Sequence, residues 1–387
     1  MTVNTMIPVA RPWMDEHEAD AARRAILSGW VTQGPEVAAF EREFAQAIGA
    51  PHACAVSSCT TALHLALLAL GVGAGDEIVT VSHSFIATAN AIRYCGAMPV
   101  FVDIDPATFN VDPALVEAAI GPKTRAILAV HQLGMPCDLA SLVAIAASRG
   151  IPLIEDAACA VGSEIEWQGV WQRIGKPHGD IACFSFHPRK LLSTGDGGML
   201  TSSSGELDQA FRLLRQHGMS VPDVVRHSSD HVIFESYPVV GYNYRMTDIQ
   251  AAIGREQLKR LPAIVARRRE LAARYEERLQ SIDGVIVPRE PSWARTNWQS
   301  YAIRVGAWID QRTLMQRMLD AGISTRRGAM NVHREVSYPQ GSWRAGSGLG
   351  RSEEVQDTAI VLPLYHQLTE DDQDRVIGTL ANAIRDL

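Results

Sequence analysis

Between about residue 50 and residue 240, short runs rich in valine and isoleucine alternate with stretches of helical periodicity. This alternation is typical of an α/β domain with a largely parallel sheet, because parallel neighbours need a crossover, usually a helix, between them. The predicted strands lie at 77–81, 98–102, 125–130, 151–155, 181–186 and 198–201, and the predicted helices at 60–70, 113–120, 139–149 and 206–217. Ligands of such sheets collect at the carboxyl ends of the strands, where we expect the functional site.

Further predicted elements flank this region. They are helices at 15–27, 36–48, 247–279, 310–321 and 370–385, and strands near Val285 and Tyr301. The helix at 247–279 is expected to break near Pro262, because proline has no N–H to donate within a helix. We predict a large α/β domain over residues 1–250 and a smaller α+β domain over residues 251–387.

Length and composition exclude several classes of protein. The chain has 387 residues, too many for a single core, and its 47% hydrophobic and 20% charged residues are typical of a soluble globular protein. The net charge is -7 and the basic residues are scattered, so we expect no nucleic-acid partner. No apolar run suits a membrane helix and the first residues lack a signal-peptide pattern, so we expect no membrane contact. Six cysteines without a C-x-x-C pair indicate a reduced cytoplasmic protein without a metal site.

A lysine and an acid follow two of the predicted strands. Lys190 comes after the run 181–186 and before a Gly-rich turn, where a lysine amine can form a Schiff base with a carbonyl. Asp156 comes after the run 151–155, where a partly buried carboxylate requires a cationic partner. Pyridoxal phosphate needs a lysine for its aldehyde and an acid for its ring nitrogen, so the two residues form a candidate cofactor pair. The alternative for Asp156 is a carboxylate that caps the next turn or pairs with an arginine.

A candidate phosphate site lies at the start of the helix at 60–70. Ser58 would cap this helix, and the backbone amides of Cys59, Thr60 and Thr61 lie at the positive end of the helix dipole, an arrangement that suits a phosphate group. The alternative is simply a well-capped buried helix.

Aromatic and histidine side chains also follow the strands. Phe85 could stack on a flat ring, although an aromatic residue beside a strand is more often part of the core. His83, His131 and His187 lie at comparable strand ends, and each alone is more often a structural histidine than a catalytic one.

A set of short motifs occurs in order along nearly the whole chain. They are Ser28-Gly-Trp-Val-Thr-Gln-Gly-Pro35, Ser57-Ser-Cys-Thr-Thr-Ala-Leu63, Gly75-Asp-Glu-Ile78, Pro99-Val-Phe-Val-Asp-Ile-Asp105, Glu155-Asp-Ala-Ala158, Phe184-Ser-Phe-His-Pro-Arg-Lys190, Gly195-Asp-Gly-Gly198, Gly241-Tyr-Asn-Tyr-Arg-Met246, the segment 333–338 and Leu362-Pro-Leu-Tyr365. Taken together, these motifs make the chain resemble the nucleotide-sugar aminotransferases of the DegT/StrS family. The resemblance implies the fold type I of pyridoxal-phosphate-dependent transferases. That fold has a mostly parallel seven-stranded sheet in a large domain and a smaller C-terminal α+β domain.

By position, the resemblance implies that the cofactor contacts are Ser58, Cys59, Thr60, Phe85, Asp156, Cys159, Ser185, Lys190 and Asn243. Lys190 would carry pyridoxal phosphate as a Schiff base, Asp156 would pair with its ring nitrogen, and Phe85 would stack on its ring. Ser185 and the turn at Cys59 would hold the phosphate group.

The resemblance also implies a shared site and a reaction. Asn243 would reach the neighbouring subunit's phosphate in a homodimer, although the residues alone favour an ordinary turn there. An amino group would pass from an amino acid, glutamate by family analogy, to a ketone on a sugar attached to a nucleoside diphosphate, with the freed Lys190 moving the proton. The candidate substrate contacts are Trp30, His187, Arg326, His333 and Tyr338, each of which could equally be a packing or surface residue.

Three residues depart from the family's usual pattern. Cys59 stands where glycine is usual, so the phosphate turn must accept a β-carbon. Cys159 replaces the commoner glutamine or histidine, which bonds the ring hydroxyl of the cofactor. Asp196 replaces glutamate, a change that conserves charge.

Three other protein classes remain as alternatives. A related pyridoxamine-dependent sugar dehydratase would have histidine in place of Lys190. A non-catalytic or regulatory relative would be expected to show damage at the lysine, the acid or the phosphate turn, and only the turn is altered. A desulfurase or decarboxylase of the same fold is less consistent with the sugar-family motifs.

Overall fold

The computed structural model describes residues 6–221 and 229–387. A mixed eight-stranded sheet lies at its centre, in the strand order β1-β9-β8-β5-β4-β2-β3-β14. The strands are β1 (His52–Val56), β2 (Glu77–Val81), β3 (Met98–Val102), β4 (Thr124–Val130), β5 (Leu153–Asp156), β8 (Ile181–Ser185), β9 (Gly198–Ser202) and β14 (Arg344–Ala345). All neighbours from β8 to β14 run parallel, and only β9 is antiparallel to its neighbours. The predicted α/β class and mostly parallel sheet are therefore confirmed.

Seven of the strands come from residues 52–202, and the two-residue strand β14 adds an eighth from the C-terminal part of the chain. The predicted strands at 77–81 and 98–102 match β2 and β3 to the residue, and the other four differ by one or two residues at an end. Strand β1 was not predicted, because its sequence His-Ala-Cys-Ala-Val contains only one β-branched residue. It forms because its last four residues are buried beside β9.

Helices cover the sheet and connect its strands. Those of the first 214 residues are α1 (Glu16–Leu27), α2 (Pro35–Ile48), α3 (Cys59–Ala69), α4 (Ala87–Tyr94), α5 (Pro113–Ala119), α6 (Leu139–Arg149) and α7 (Gly205–Leu214). All except α4 were predicted, with bounds that differ by at most three residues. The C-terminal helices are α8 (Asp248–Leu279), α9 (Gln311–Asp320), α10 (Gly350–Thr358) and α11 (Glu370–Arg385), of which only α10 was not predicted.

The expected break of the long helix at Pro262 is wrong, because α8 continues through it. Proline removes one backbone hydrogen bond there, a cost that packing on both sides offsets. Leu258 and Leu261 before the proline, and Ile264 and Val265 after it, are all buried in the large hydrophobic core.

Two smaller sheets complete the structure. One is four-stranded, in the order β10-β12-β15-β13, with β10 (Val285–Ile286), β12 (Tyr301–Val305), β13 (Arg326–Arg327) and β15 (Ala359–Leu362). The other is three-stranded, in the order β11-β6-β7, with β6 (Glu164–Trp167), β7 (Val170–Arg173) and β11 (Ala294–Arg295). Within the described parts of the chain, no helix is long and apolar enough to span a membrane.

The helix α8 contributes to two hydrophobic cores. Its first half packs into the core around the large sheet, whereas Leu271, Tyr275 and Leu279 pack into a second core with Tyr301 of β12. The boundary at residue 250 falls near the start of this helix and stays a prediction.

The termini of three neighbouring strands lie side by side in the sheet. Val56 at the end of β1, Gly198 at the start of β9 and Ser185 at the end of β8 are paired in register. A β-carbon on Gly198 would lie 2.5 Å from the backbone carbonyl carbon of Ser58 and 2.7 Å from the amide nitrogen of Cys59. The absence of a side chain at Gly198 therefore lets the start of α3 approach the sheet.

We expect Gly198→Ala to lower the free energy of unfolding by about 1–3 kcal/mol, because the added methyl group meets backbone atoms that cannot rotate away. Gly121→Ala is the control, since a β-carbon at Gly121 would meet no atom within 4 Å. Its effect should stay within about 0.5 kcal/mol. Denaturant unfolding of the two variants measures the difference, and equal stabilities would contradict the close approach.

Candidate active site

The lysine expected to be reactive lies in the connection between β8 and β9. The backbone closes this connection with bonds from Phe186 N to Gly197 O at 2.9 Å and from Thr194 N to Phe186 O at 2.9 Å. Within it, Lys190 N donates to His187 O at 2.8 Å, and the Lys190 side chain is half-buried. The Lys190 amine donates to the Cys159 sulfur at 3.0 Å.

Asp156 ends the neighbouring parallel strand β5, and only 5% of its surface is exposed. Its Oδ2 accepts a hydrogen bond from Thr88 Oγ1 at 2.8 Å, and its Oδ1 accepts one from Ala158 N at 3.2 Å. Burial raises the pKa of this carboxyl above its usual value, although both hydrogen bonds and the charge of Lys190 act in the opposite direction. An ionised Asp156 would thus be stabilised by a further cationic group.

The structure brings Lys190 and Asp156 to one place. Asp156 ends β5, Lys190 follows the adjacent parallel strand β8, and Cys159, which contacts the lysine amine, lies three residues after the acid. The charge of each also shifts the pKa of the other: Asp156 raises that of Lys190, and Lys190 lowers that of Asp156. A group with an electrophilic carbon and a basic nitrogen could therefore reach both residues at once.

Behind Asp156, a histidine and a glutamate fix the ends of β4 and β5. His131 Nδ1 accepts from Cys137 N at 3.0 Å, which places the ring proton on Nε2, and Nε2 donates to Glu155 Oε2 at 3.0 Å. His131 N also donates to the backbone oxygen of Asp156 at 3.1 Å. With both ring nitrogens engaged and no exposed surface, His131 is a structural residue.

The turn before α3 leaves backbone donors available. Ser58 and Thr61 form a capping box, in which Thr61 N donates to Ser58 Oγ at 3.2 Å and Ser58 N donates to Thr61 Oγ1 at 3.1 Å. The first bond of the helix runs from Ala62 N to Ser58 O. Within residues 6–221 and 229–387, the amides of Cys59 and Thr60 have no hydrogen-bond acceptor, whereas the third predicted amide, that of Thr61, is used by the cap.

The unusual cysteine in this turn is accommodated by the core. Cys59 is buried, and its thiol donates to Cys183 O on β8 at 3.6 Å, so its side chain points away from the free amides. Burial raises the pKa of this thiol well above its ordinary value, and the group therefore stays neutral. A β-carbon at position 59 thus leaves the two donors of the turn exposed to a ligand.

Ser185 and the segment of Asn243 are each connected to this turn. Ser185 is paired with Gly198, which touches the turn, and its Oγ accepts from His187 N at 3.4 Å. The segment around Asn243 is held by bonds from Tyr244 N to Arg215 O at 2.9 Å and from Ser57 N to Tyr244 O at 2.8 Å. Asn243 is exposed, and its side chain has no bonding partner in the described residues.

Phe85 does not belong to the core, since 64% of its surface is exposed. It precedes α4, and its backbone oxygen accepts a bond from Thr88 N at 3.1 Å. Phe85 is thus bonded through its backbone to Thr88, the residue whose hydroxyl donates to the Asp156 carboxylate. Its exposure is consistent with a ring that can stack on a bound ligand rather than one that packs in the core.

Of three further candidate substrate contacts, His187 and Arg326 lie on the side of Lys190, whereas Trp30 lies in a turn of its own. Trp30 Nε1 donates to Gln33 O at 3.0 Å. The residues after this turn are held by Asp248, whose carboxylate accepts hydrogen bonds from the amides of Gly34 and Val37. His187 is half-buried, and burial lowers its pKa, with Arg189, Lys190 and Arg326 acting in the same direction and Asp196 against them. Arg326 is exposed on β13.

The other two candidates are engaged within the chain. His333 Nδ1 contacts Ser82 Oγ at 2.7 Å and its Nε2 contacts Glu353 Oε1 at 3.0 Å. Tyr338 is buried, and its hydroxyl donates to Asn90 Oδ1 at 2.7 Å. Both residues connect the C-terminal part of the chain to the large sheet, and their contact with substrate stays a prediction.

Two residues of the site were not predicted. Thr88 supplies the hydrogen bond to Asp156 and is itself bonded to Ser84 Oγ at 2.8 Å. Asn297 is fully buried, and its Nδ2 donates to the backbone oxygen of Cys159 at 2.8 Å. The spacing of Ser84 and Thr88, one helical turn apart after a strand end, could have indicated the first, whereas no local pattern indicates the second.

Comparison with known proteins agrees with this geometry. The DegT/DnrJ/EryC1/StrS aminotransferase family matches residues 12–381. The chain is 38% identical to the spore coat polysaccharide biosynthesis protein SpsC of Bacillus subtilis, over 99% of this chain and 97% of that protein. It is 39% identical to GDP-perosamine synthase of Caulobacter vibrioides, over 97% of each.

A solved structure shows the same fold. The aminotransferase TlmJ of Streptoalloteichus hindustanus superposes with a TM-score of 0.90 at 35% identity, over 98% of this chain and 99% of that one. The expected fold type I is therefore confirmed, as is the dependence on pyridoxal phosphate, which aminotransferases of this family share. The chain belongs to the DegT/DnrJ/EryC1/StrS aminotransferase family, whose members include sugar aminotransferases.

Proposed function

We propose that this protein transfers an amino group from an amino acid, expected to be glutamate, to a keto sugar carried on a nucleoside diphosphate, with Lys190 and Asp156 as the catalytic pair. The observation that carries the proposal is the convergence of a half-buried lysine amine and a buried carboxylate at the ends of adjacent parallel strands. The similarity to a GDP-perosamine synthase supports a nucleotide-linked sugar as the acceptor.

The residues present fit pyridoxal phosphate. When bound, this cofactor supplies an aldehyde that combines with amines and a protonated ring that takes up electrons from the substrate carbon. The free Lys190 amine matches the aldehyde, and the Asp156 carboxylate, which is buried and lacks a full positive partner, matches the ring nitrogen. The open amides of Cys59 and Thr60 match the phosphate group.

In this account, Asp156 keeps a proton on the ring nitrogen. A carboxylate in a dry environment interacts strongly with a neighbouring positive charge, since few water molecules screen the pair. Thr88 Oγ1 and Ala158 N orient the two carboxylate oxygens, so that the acid faces one direction. Asp156 therefore stabilises the electron-rich stage of the reaction rather than transferring a proton itself.

Lys190 would have two roles in the reaction. Its amine holds the cofactor between turnovers, and once displaced by the amino donor it can accept a proton from one carbon and return it to another. The half-buried position of the side chain keeps bulk water from competing for that proton.

The acceptor's diphosphate would bind on the side of His187. Arg189 and Arg326 are exposed there, and among the described residues neither has a carboxylate partner. Guanidinium groups bind phosphate oxygens in a bidentate manner, so two unpaired arginines next to the lysine favour an anionic substrate.

The phosphate end of the cofactor would be shared between two subunits of a homodimer. Ser185 and the start of α3 would hold it from one protomer, and the exposed Asn243 amide would hold it from the other. This arrangement accounts for an asparagine that is ordered by its neighbours yet has no partner for its own side chain in the described chain.

Lys190→Ala should abolish transamination and remove the visible absorption of the bound cofactor, because no other amine takes the place of Lys190. Absorption spectra and single-turnover assays with glutamate measure both effects. A purified variant that keeps its colour and full turnover would disprove the assignment. Lys176→Ala is the control, since Lys176 lies in the connection before β8 and should leave both properties unchanged.

Thr88→Val should weaken pyridoxal phosphate binding at least about tenfold, since a hydrogen bond to a charged group is worth about 1.5–3 kcal/mol. Without that bond, the pKa of the Asp156 carboxyl rises further, and its ionised form is lost at a higher pH. The matched control is Thr201→Val, in which a buried hydroxyl that donates to Gly175 O is lost away from the acid. Equal cofactor affinities in the two variants, measured by fluorescence titration, would contradict this role.

Asn243→Ala should raise the dissociation constant for pyridoxal phosphate several-fold and leave the unfolding transition unchanged, because the side chain is exposed within its own protomer. Asn382→Ala, at an exposed asparagine of α11, controls for the substitution. A cofactor affinity equal to that of the control would count against the shared site.

A further inference from the structure

The contact between Lys190 and Cys159 is the most unusual feature of the site. The lysine amine lies 3.0 Å from the cysteine sulfur, in hydrogen-bond range for sulfur. Cys159 is half-buried, whereas Cys54, Cys59, Cys137 and Cys183 are buried and only Cys95 has comparable exposure. Of the two half-buried cysteines, Cys159 is therefore the one whose thiol contacts the Lys190 amine at the carboxyl edge of the large sheet.

The backbone of Cys159 is held in place from the second half of the chain. Asn297 Nδ2 donates to the backbone oxygens of Cys159 and Val161, both at 2.8 Å, and Asn297 Oδ1 accepts from Gln299 N at 2.8 Å. A β-carbon on Gly134 would lie 2.1 Å from Asn297 Oδ1, so the glycine leaves room for this amide. The position of the thiol is therefore set by a fully bonded, buried amide rather than by a mobile loop.

The charged and titratable groups that face the lysine amine act in opposite directions. Burial is the largest single influence and lowers the pKa of Lys190, but Cys159, Cys59 and Asp156 together outweigh it and raise that pKa. Cys59 carries no charge near neutral pH, because burial raises its own pKa well above the ordinary value.

His187 and Arg189 also lie beside this cluster. Burial and the charges of Arg189 and Lys190 lower the pKa of His187, so its ring is neutral near neutral pH. Arg189 is a cation and favours a neutral lysine. Cys159 and Asp156 thus remain as the groups that favour an ammonium at position 190.

We propose that Cys159 is a positioning residue for Lys190: its sulfur accepts a hydrogen bond from the free lysine amine and holds that amine in reach of the cofactor. The inference rests on the proposed function. The same contact helps to raise the pKa of the Lys190 amine, so its loss should change the pH at which the amine becomes neutral.

The test is the pH dependence with which the apoenzyme takes up pyridoxal phosphate, followed by visible absorption. Attachment requires the neutral amine, so uptake rises with pH through the pKa of Lys190. Cys159→Ser conserves size but removes the sulfur, which raises that pKa, and leaves burial, which lowers it, as the largest influence. The midpoint of uptake should therefore shift to lower pH in this variant. In Cys95→Ser, the half-exposed control on the end of α4, it should stay at the wild-type value.

A second measurement does not need the cysteine variant to fold. In the wild-type apoenzyme, iodoacetamide should alkylate Cys159 faster than in Lys190→Met, because a lysine in contact with a cysteine increases the reactivity of that cysteine. Peptide mass spectrometry at timed intervals gives both rates, with Cys95 as the internal reference. Loading with pyridoxal phosphate should also slow the labelling of Cys159 in the wild-type protein.

The outcomes separate the two proposals. An unshifted uptake midpoint in Cys159→Ser, or equal labelling of Cys159 with and without the Lys190 amine, would overturn the positioning role while the aminotransferase assignment stands. A wild-type apoenzyme that takes up no pyridoxal phosphate at any pH would overturn the proposed function itself.

Discussion

The buried carboxylate of Asp156 is the constraint on which the site depends. Placing a carboxylate at the end of a fully buried strand is unfavourable unless its charge is compensated, and the two hydrogen bonds from Thr88 and Ala158 compensate it only in part. The sheet fixes its position, because β4 and β8 flank β5 on both sides. The large sheet therefore holds an acid that suits a positively charged ligand, and the lysine after β8 limits what kind of ligand can fit.

The sequence was most informative where a function depends on a strand end. The strands β2 and β3 are rich in β-branched residues, so their bounds could be predicted to the residue, and Lys190 and Asp156 stood out because each follows such a run. By contrast, β1 could not be predicted, because its alanines and cysteine are not typical of a strand. The continuity of α8 through Pro262 could not be predicted either, because it depends on packing between distant segments. Thr88 and Asn297 also escaped prediction, since each acts on a residue more than 65 positions away, and no local spacing indicates such a partner.

The two cysteines that depart from the family's usual pattern have different consequences. Cys59 turns its thiol into the core and leaves the backbone amides of the phosphate turn free, so the substitution preserves the chemistry of the turn. Cys159 accepts a hydrogen bond from the Lys190 amine and brings a sulfur to a place where the family commonly has an amide or an imidazole. The first is a change in packing, whereas the second places a different group against the amine that we propose as catalytic.

The account's central claim is that one amine, that of Lys190, binds the cofactor. The chain contains four lysines, Lys123, Lys176, Lys190 and Lys259, so the claim can be tested without ambiguity. The protein loaded with pyridoxal phosphate is reduced with borohydride, which fixes the cofactor to its amine, and the digested peptides are mapped by mass spectrometry. The account predicts that the phosphopyridoxyl mass is found on Lys190 alone. Its presence on any of the other three lysines, or its absence from the protein, would contradict the account.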